Sequence, residues 1–111
     1  SRRRRIEWLE RAIANLGLDN CRVEGTRLEN VTAFEAEVIS ARAFAPLDRL
    51  LSLSAPFSTS ATQWVLPKGR SAAHEVARLS KNRRAMFHVE QSVTDPEAGI
   101  VVGRGQWSAK A

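Results

Sequence analysis

The sequence is short of the residues that staple or lock a chain. It has one cysteine among 111 residues, so an internal disulfide is excluded, and Cys21 has no second thiol at metal-ligand spacing. A single thiol fits a reducing compartment, and in a short candidate strand Cys21 reads as a small buried hydrophobe. His74 and His88 stand far apart, so no metal is expected. Tyrosine is absent and aromatics reach only 6%, which leaves Trp8, Trp64 and Trp107 as the candidates for stacking on bases. Trp8 lies beside an inward helix face and Trp64 within a strand, so core packing is the better reading for both. No apolar run approaches the ~18 residues of a membrane span, and no apolar stretch follows the arginine-rich start as a signal peptide would require. The six glycines form no phosphate cradle. Gly103-Arg104-Gly105 follows the last candidate strand instead of linking a strand to a helix.

Positive charge is what the chain has in excess. Arginines number 14 against 3 lysines, and the net charge is +5. That balance points to a polyanionic partner, most simply nucleic acid. The charge is concentrated: Arg2, Arg3, Arg4 and Arg5 supply +4 of it. A second cluster, Arg78, Lys81, Arg83 and Arg84, has no acid among residues 76–89.

Hydrophobic spacing organises the chain around residues 38–51. Val38, Ile39 and Ala41 suit a short buried strand. Arg42 stands where that apolar run stops. Pro46 is pre-set for the first position of a helix, and Leu47, Leu50 and Leu51 recur at helical spacing. The predicted order is strand, loop with an arginine, helix. Ligands of open α/β sheets bind at the carboxyl ends of strands, which makes Arg42 the first candidate site residue. Capping a neighbouring carbonyl or pairing with a surface acid is the plainer role for such a residue.

Upstream, Ile6, Leu9, Ile13 and Leu16 fall on one face of a predicted helix over 2–16, which Gly17 should stop. Glu7 and Arg11 are spaced for an i,i+4 pair. The four arginines at its start oppose the helix dipole. Residues 21–24 read as a short strand, and 27–36 as a loop with room for one helical turn. Downstream, 58–62 is a polar linker, and 63–66 is a strand expected to stop at Pro67. Ser71 is placed to cap a helix over 72–82, with Ala72, Val76 and Leu79 inward. Residues 85–92 alternate as a half-buried strand. TDPEAG at 94–99 has turn chemistry, and 100–102 is a last strand, antiparallel to the one before it. From Gly103 the chain reads as a loose tail. The predicted fold is α/β, mostly parallel with an antiparallel C-terminal strand pair.

The blocks ISARAFAPLDRLL, VLPKGR and FHVEQSVTDPEAGIVV resemble the C-terminal part of the bacterial small-subunit (16S) rRNA guanine-N7 methyltransferases, the RsmG or GidB family. The likeness runs to about Gly105, which makes residues 1–105 the C-terminal part of one methyltransferase domain and 106–111 a tail. It implies a partial class I, Rossmann-like sheet, with strands corresponding to the third to the seventh. It implies S-adenosylmethionine as cofactor and 16S rRNA as substrate, in a cytoplasmic monomer. Leu28 and Glu29 match the family's adenine-contacting loop. Arg42 matches the arginine that borders cofactor and incoming base, and Lys68 the lysine on the same rim. Arg2–Arg5 are candidates for RNA contact, and no catalytic acid or base is assigned. The family's glycine-rich loop and ribose-holding acid have no counterpart here. The chain taken alone is therefore expected to bind cofactor poorly and to be inactive. A non-catalytic basic RNA-binding module, or a class I methyltransferase with another substrate, are the alternatives.

Overall fold

The computed structural model describes residues 2–42 and 46–108. The chain divides into two compact units, Ser1–Thr32 and Ala33–Ala111.

The first unit opens with helix α1, Arg2–Asn15. It ends as the sequence predicts, on Gly17 in the left-handed region (φ 65°). Leu18 N–H reaches Ile13 O at 3.0 Å and Gly17 N–H reaches Ala14 O at 3.2 Å, the paired bonds of a Schellman stop. The expected inward face is not buried: no residue of α1 is, and Trp8 is 61% exposed. The expected Glu7–Arg11 ion pair is not formed. Residues 21–25 form no strand, because no strand of this unit lies beside them to accept a ladder. Cys21 there is exposed, not buried as expected. Gly25 passes close to α1, where a Cβ would sit 3.0 Å from Ile6 Cδ1. A single 3-10 turn, Leu28–Asn30, follows, closed by Asn30 N–H to Arg27 O at 2.9 Å.

The second unit holds the sheet. Its elements are β1 (Val38–Ser40), α2 (Leu47–Ser54), β2 (Gln63–Gly69), α3 (Ala72–Ala77), α4 (Lys81–Arg84), β3 (Phe87–Gln91) and β4 (Gly99–Arg104). The strand order is β1-β2-β4-β3. β1 and β2 are parallel, and β4 runs antiparallel to both of its neighbours. Three strands therefore share one direction and the last is reversed between two of them, the mixed α/β sheet of a partial class I fold. The final pair is antiparallel as predicted, joined through a turn in which Ser92 N–H bonds Ala98 O and Glu97 N–H bonds Asp95 Oδ1.

Alternation along β2 turns Trp64 and Leu66 into the core and Gln63 and Val65 away from it. Leu47, Leu50 and Leu51 of α2 and Ala72 of α3 cover that face, with Phe87 and Val101 completing it. Gly103 lies opposite both Trp64 and Phe87, and a Cβ there would come within 2.5 Å of the Phe87 ring.

Three expectations are corrected. Pro67 does not end β2. β1 stops at Ser40, opposite Val65, so β2 is an edge by residue 67, and the register shifts between Pro67 and Gly69. An edge or a bulge is where a strand tolerates proline. The helix over 72–82 is two short helices. Leu79 N–H bonds Val76 O at 3.0 Å, and Ser80 is extended (φ −61°, ψ 156°), which turns the chain while keeping Leu79 buried. The tail is not loose as far as it is described. Gly105 N–H bonds Thr62 O at 2.8 Å, Trp64 Nε1 donates to Gly105 O at 2.9 Å, and Trp107 is 2% exposed. Residues 109–111 lie outside the described residues. No helix among the described residues is long and apolar enough to cross a membrane.

Candidate functional site

The register fixes where the predicted site residues of the second unit fall. β1 and β2 are parallel and Ser40 pairs with Val65, so their carboxyl ends lie along one edge of the sheet. Arg42 is exposed two residues beyond the end of β1. Lys68 and Gly69 close β2 on that same edge. Arg42 and Lys68 thus follow or end neighbouring parallel strands on one edge of the sheet. Residues 43–45, between Arg42 and α2, lie outside the described residues.

The two cations of this edge differ sharply. The Lys68 side chain is only 7% exposed, and its Nζ lies 3.2 Å from Glu75 Oε1. The same oxygen accepts the backbone N–H of Leu47, the first residue of α2, at 2.9 Å. Ser71 Oγ donates to Glu75 Oε2 at 2.6 Å and lies 3.0 Å from Lys68 O. Lys68 therefore spends its charge inside the edge, on a carboxylate, and not on its rim. Arg70 pairs with Glu97 at the surface, 2.5 Å apart. Arg42 is in no ion pair among the described residues.

Burial is the largest single influence on Glu75 and pushes its carboxyl up. The Ser71 hydroxyl, the Leu47 amide and the Lys68 ammonium together outweigh it and hold the group below the usual carboxylate range. Ser71 does not cap α3 with its side chain as expected; its hydroxyl is engaged by Glu75. The sequence reading missed Glu75. The one available signal was an acid four residues after Ser71 and seven after Lys68.

Leu28 and Glu29 belong to the first unit. They lie in the 3-10 turn, Leu28 half-buried and Glu29 exposed, so an apolar surface and an acceptor stand next to each other. That pairing fits the ring and amino group of an adenine. Arg2, Arg3, Arg4 and Arg5 occupy the exposed first turn of α1, which itself contains no acidic residue. No group of three or more metal-capable side chains occurs among the described residues.

The second basic cluster is partly structural. Arg83 lies 4.6 Å from the centre of the Trp107 ring, a cation–π distance, and donates to Ser108 O at 2.9 Å. Arg84 donates to Ala77 O at 3.3 Å. Neither tryptophan of the second unit offers its ring to a base: Trp64 and Trp107 are both core. Trp8, expected in the core, is the exposed one.

The family model described as "rRNA small subunit methyltransferase G" matches residues 1–99. Similar curated proteins, each called ribosomal RNA small subunit methyltransferase G, come from Erythrobacter litoralis (61% identical, over 96% of this chain and 51% of the relative), Novosphingobium aromaticivorans (57%, over 94% and 45%) and Sphingopyxis alaskensis (54%, over 99% and 47%). The chain spans about half the length of these relatives. It belongs to the rRNA small subunit methyltransferase G family.

Proposed function

We propose that this chain takes part in methylating N7 of a guanine in 16S rRNA with S-adenosylmethionine, in the cytoplasm and as a monomer. The observation that carries the reading is the placement of Arg42. It is exposed at the carboxyl edge of a mixed α/β sheet, where this architecture gathers its ligands. The other two cations of that edge already face carboxylates.

The cofactor, when bound, supplies an activated methyl on a sulfonium. Guanine N7 carries an exposed lone pair, so no residue has to remove a proton, and no general base is assigned. What remains for the protein is alignment. Arg42 holds the base or a flanking phosphate through the planar fork of its guanidinium, which suits either acceptor. Leu28 offers an apolar surface to the adenine, and Glu29 an acceptor to its amino group. Lys68 supports the edge from within, through Glu75. Arg2–Arg5 give RNA phosphates an exposed cationic turn, an attraction that salt should weaken. The alternative of a purely RNA-binding module draws less support, because Arg83 and Arg84 of its second cluster are held by the fold.

The test joins residues 1–111 to the unmatched half of the Erythrobacter litoralis relative and supplies labelled cofactor and small-subunit rRNA. The expected product is a single N7-methylguanine, located by chain cleavage at that base. Methyl transfer to another atom or only to another substrate, or none at all, would overturn the reading. The 111-residue chain alone is expected to show no micromolar binding of S-adenosylmethionine by calorimetry.

A further inference from the structure

We propose that a trough on the face of the sheet turned away from α2 and α3 is a second RNA contact. It takes one unpaired nucleotide of the rRNA, with the base against Val65 and Val102 and the phosphate on Arg104. The proposal rests on the reading of rRNA as substrate, and it places a contact outside the Arg42 edge.

Strand register builds the trough. Trp64 and Leu66 turn into the core, so Gln63 and Val65 face the other way. Val65 pairs with Val102, which pairs in turn with His88, while Gln63 pairs with Arg104. Paired residues share a face, so these five line one side of the sheet. Val65 is 36% exposed and Val102 half-buried, which leaves an apolar floor partly open to solvent. Asn82 of α4 and Met86, just before β3, line the trough too. Its volume is about 700 Å³. Small-molecule sites run roughly 300–1,000 Å³. Gln63 opens β2 and Lys68 lies near its other end, about 16 Å along the strand. The trough is therefore separate from the carboxyl edge.

The lining selects for charge and shape. No carboxylate lines the trough among the described residues. Arg104 is exposed, and no ion pair among the described residues engages it. Gln63 and Asn82 each bring an amide that both donates and accepts. Glu90 lies two residues along β3 from His88 and is hydrogen-bonded to it at 3.1 Å. Lys81, beside Asn82, is exposed too, and residues 76–89 contain no acid. Such a lining fits a guest with a flat apolar face, donors and acceptors at its rim, and negative charge. A nucleotide has all three. Unpaired RNA is the form that leaves base faces and edges free. The Met86 thioether adds a polarisable contact for the ring.

The test is photo-crosslinking of the 111-residue chain to a single-stranded RNA hexanucleotide with a central 4-thiouridine, the adduct being located by mass spectrometry. An adduct within residues 63–65, 82–88 or 102–104 is expected. The RNA concentration that half-saturates it should rise about tenfold in Arg104→Ala. The salt slope of that binding should flatten by about 0.7, the share of one phosphate on a single strand, and Arg104→Lys should keep the slope. Val65→Glu, which sets a carboxylate on the floor, should abolish the adduct with the circular dichroism of the parent. If Val65→Glu does not fold, the exposed Arg104→Ala decides. Adducts only elsewhere, or Arg104→Ala within about twofold of the parent, would overturn the proposal. So would a hexaglutamate peptide that competes as well as unlabelled hexauridylate, since the trough would then take any anionic chain. The joined protein with small-subunit rRNA should form the same adduct; its loss there would show that polypeptide covers the trough, and would also overturn the proposal. A joined parent that forms the adduct but fails to methylate rRNA would instead count against the methyl-transfer reading.

Discussion

Helices α1 and α2 carry the same kind of apolar spacing and meet different fates. α2 buries Leu47, Leu50, Leu51 and Ser54 against Trp64 and Leu66. No residue of α1 is fully buried: Ile6 and Ile13 are half-buried, and Leu9, and Leu16 just beyond its end, are exposed. Periodicity therefore specifies a helix and a preferred face, but burial depends on what is available to cover it. α2 has a sheet of its own unit to pack on. Within its own unit α1 is approached by the backbone at Gly25, beside Ile6. The arginines at its start add a helix-dipole cost, and its first turn holds no acidic residue. Most of the stability of a helix in water comes from packing its apolar face. The two units should accordingly respond very differently to mutation.

The largest effect is expected at Trp107. It is enclosed against Phe87, with ring centres 6.0 Å apart, and its backbone N–H donates to Ser58 Oγ at 3.0 Å. Trp107→Ala should cost about 3–5 kcal/mol by chemical denaturation, monitored by circular dichroism. Retained stability would mean that the end of the chain is not part of the core. Next comes Gly103→Ala. Its Cβ would meet both the Phe87 ring and the Met86 carbonyl oxygen, at 2.5 and 2.6 Å, so β3 and β4 must part. A loss of about 1–3 kcal/mol is expected in the same assay.

Acid should act through Glu75. Its folded carboxyl titrates below the unfolded one, so its contribution is complete above about pH 4.3 and is lost as pH falls through the lower folded value. Glu75→Gln should show a shallower fall in melting temperature across that acid range than the parent does. Equal slopes would place the acid sensitivity elsewhere. The smallest effect is expected at Leu9, 40% exposed on α1. Leu9→Ala should change stability by less than about 0.5 kcal/mol, and a cost near that of Trp107 would erase the contrast between the two helices.

What was legible in the sequence was local. Gly17 stopped α1, the run at 38–41 yielded β1 over Val38–Ser40, though exposed or half-buried and not buried as expected, TDPEAG turned the last hairpin, and Arg42 stood just past a strand end. What was hidden depended on distant partners. Trp107 is held by Ser58, 49 residues away, so no window of sequence around residue 107 could reveal a buried ring. Pro67 looked like a stop because the sequence does not show that β1 ends two residues earlier in register. The break after Ala77 reflects Ser80 turning extended to keep Leu79 inside, a tertiary demand on a segment whose spacing suits one helix. Lys68 ends β2 on the carboxyl edge, but its commitment to Glu75 crosses from strand to helix and could not be read from Pro67-Lys68-Gly69 alone. The apolar faces of α1 and of residues 21–24 misled for the opposite reason. Their patterns are sound, but no surface within their unit buries them.

The most direct measurement is kinetic. In the joined protein, Arg42→Ala should lower kcat/KM for N7 methylation of small-subunit rRNA by about 100-fold or more, with melting temperature and cofactor affinity unchanged. Arg42→Lys should recover only part of it, because an ammonium cannot reproduce the guanidinium fork. An Ala variant within about threefold of the parent would contradict the account, since alignment at this sheet edge would then not depend on the side chain at position 42.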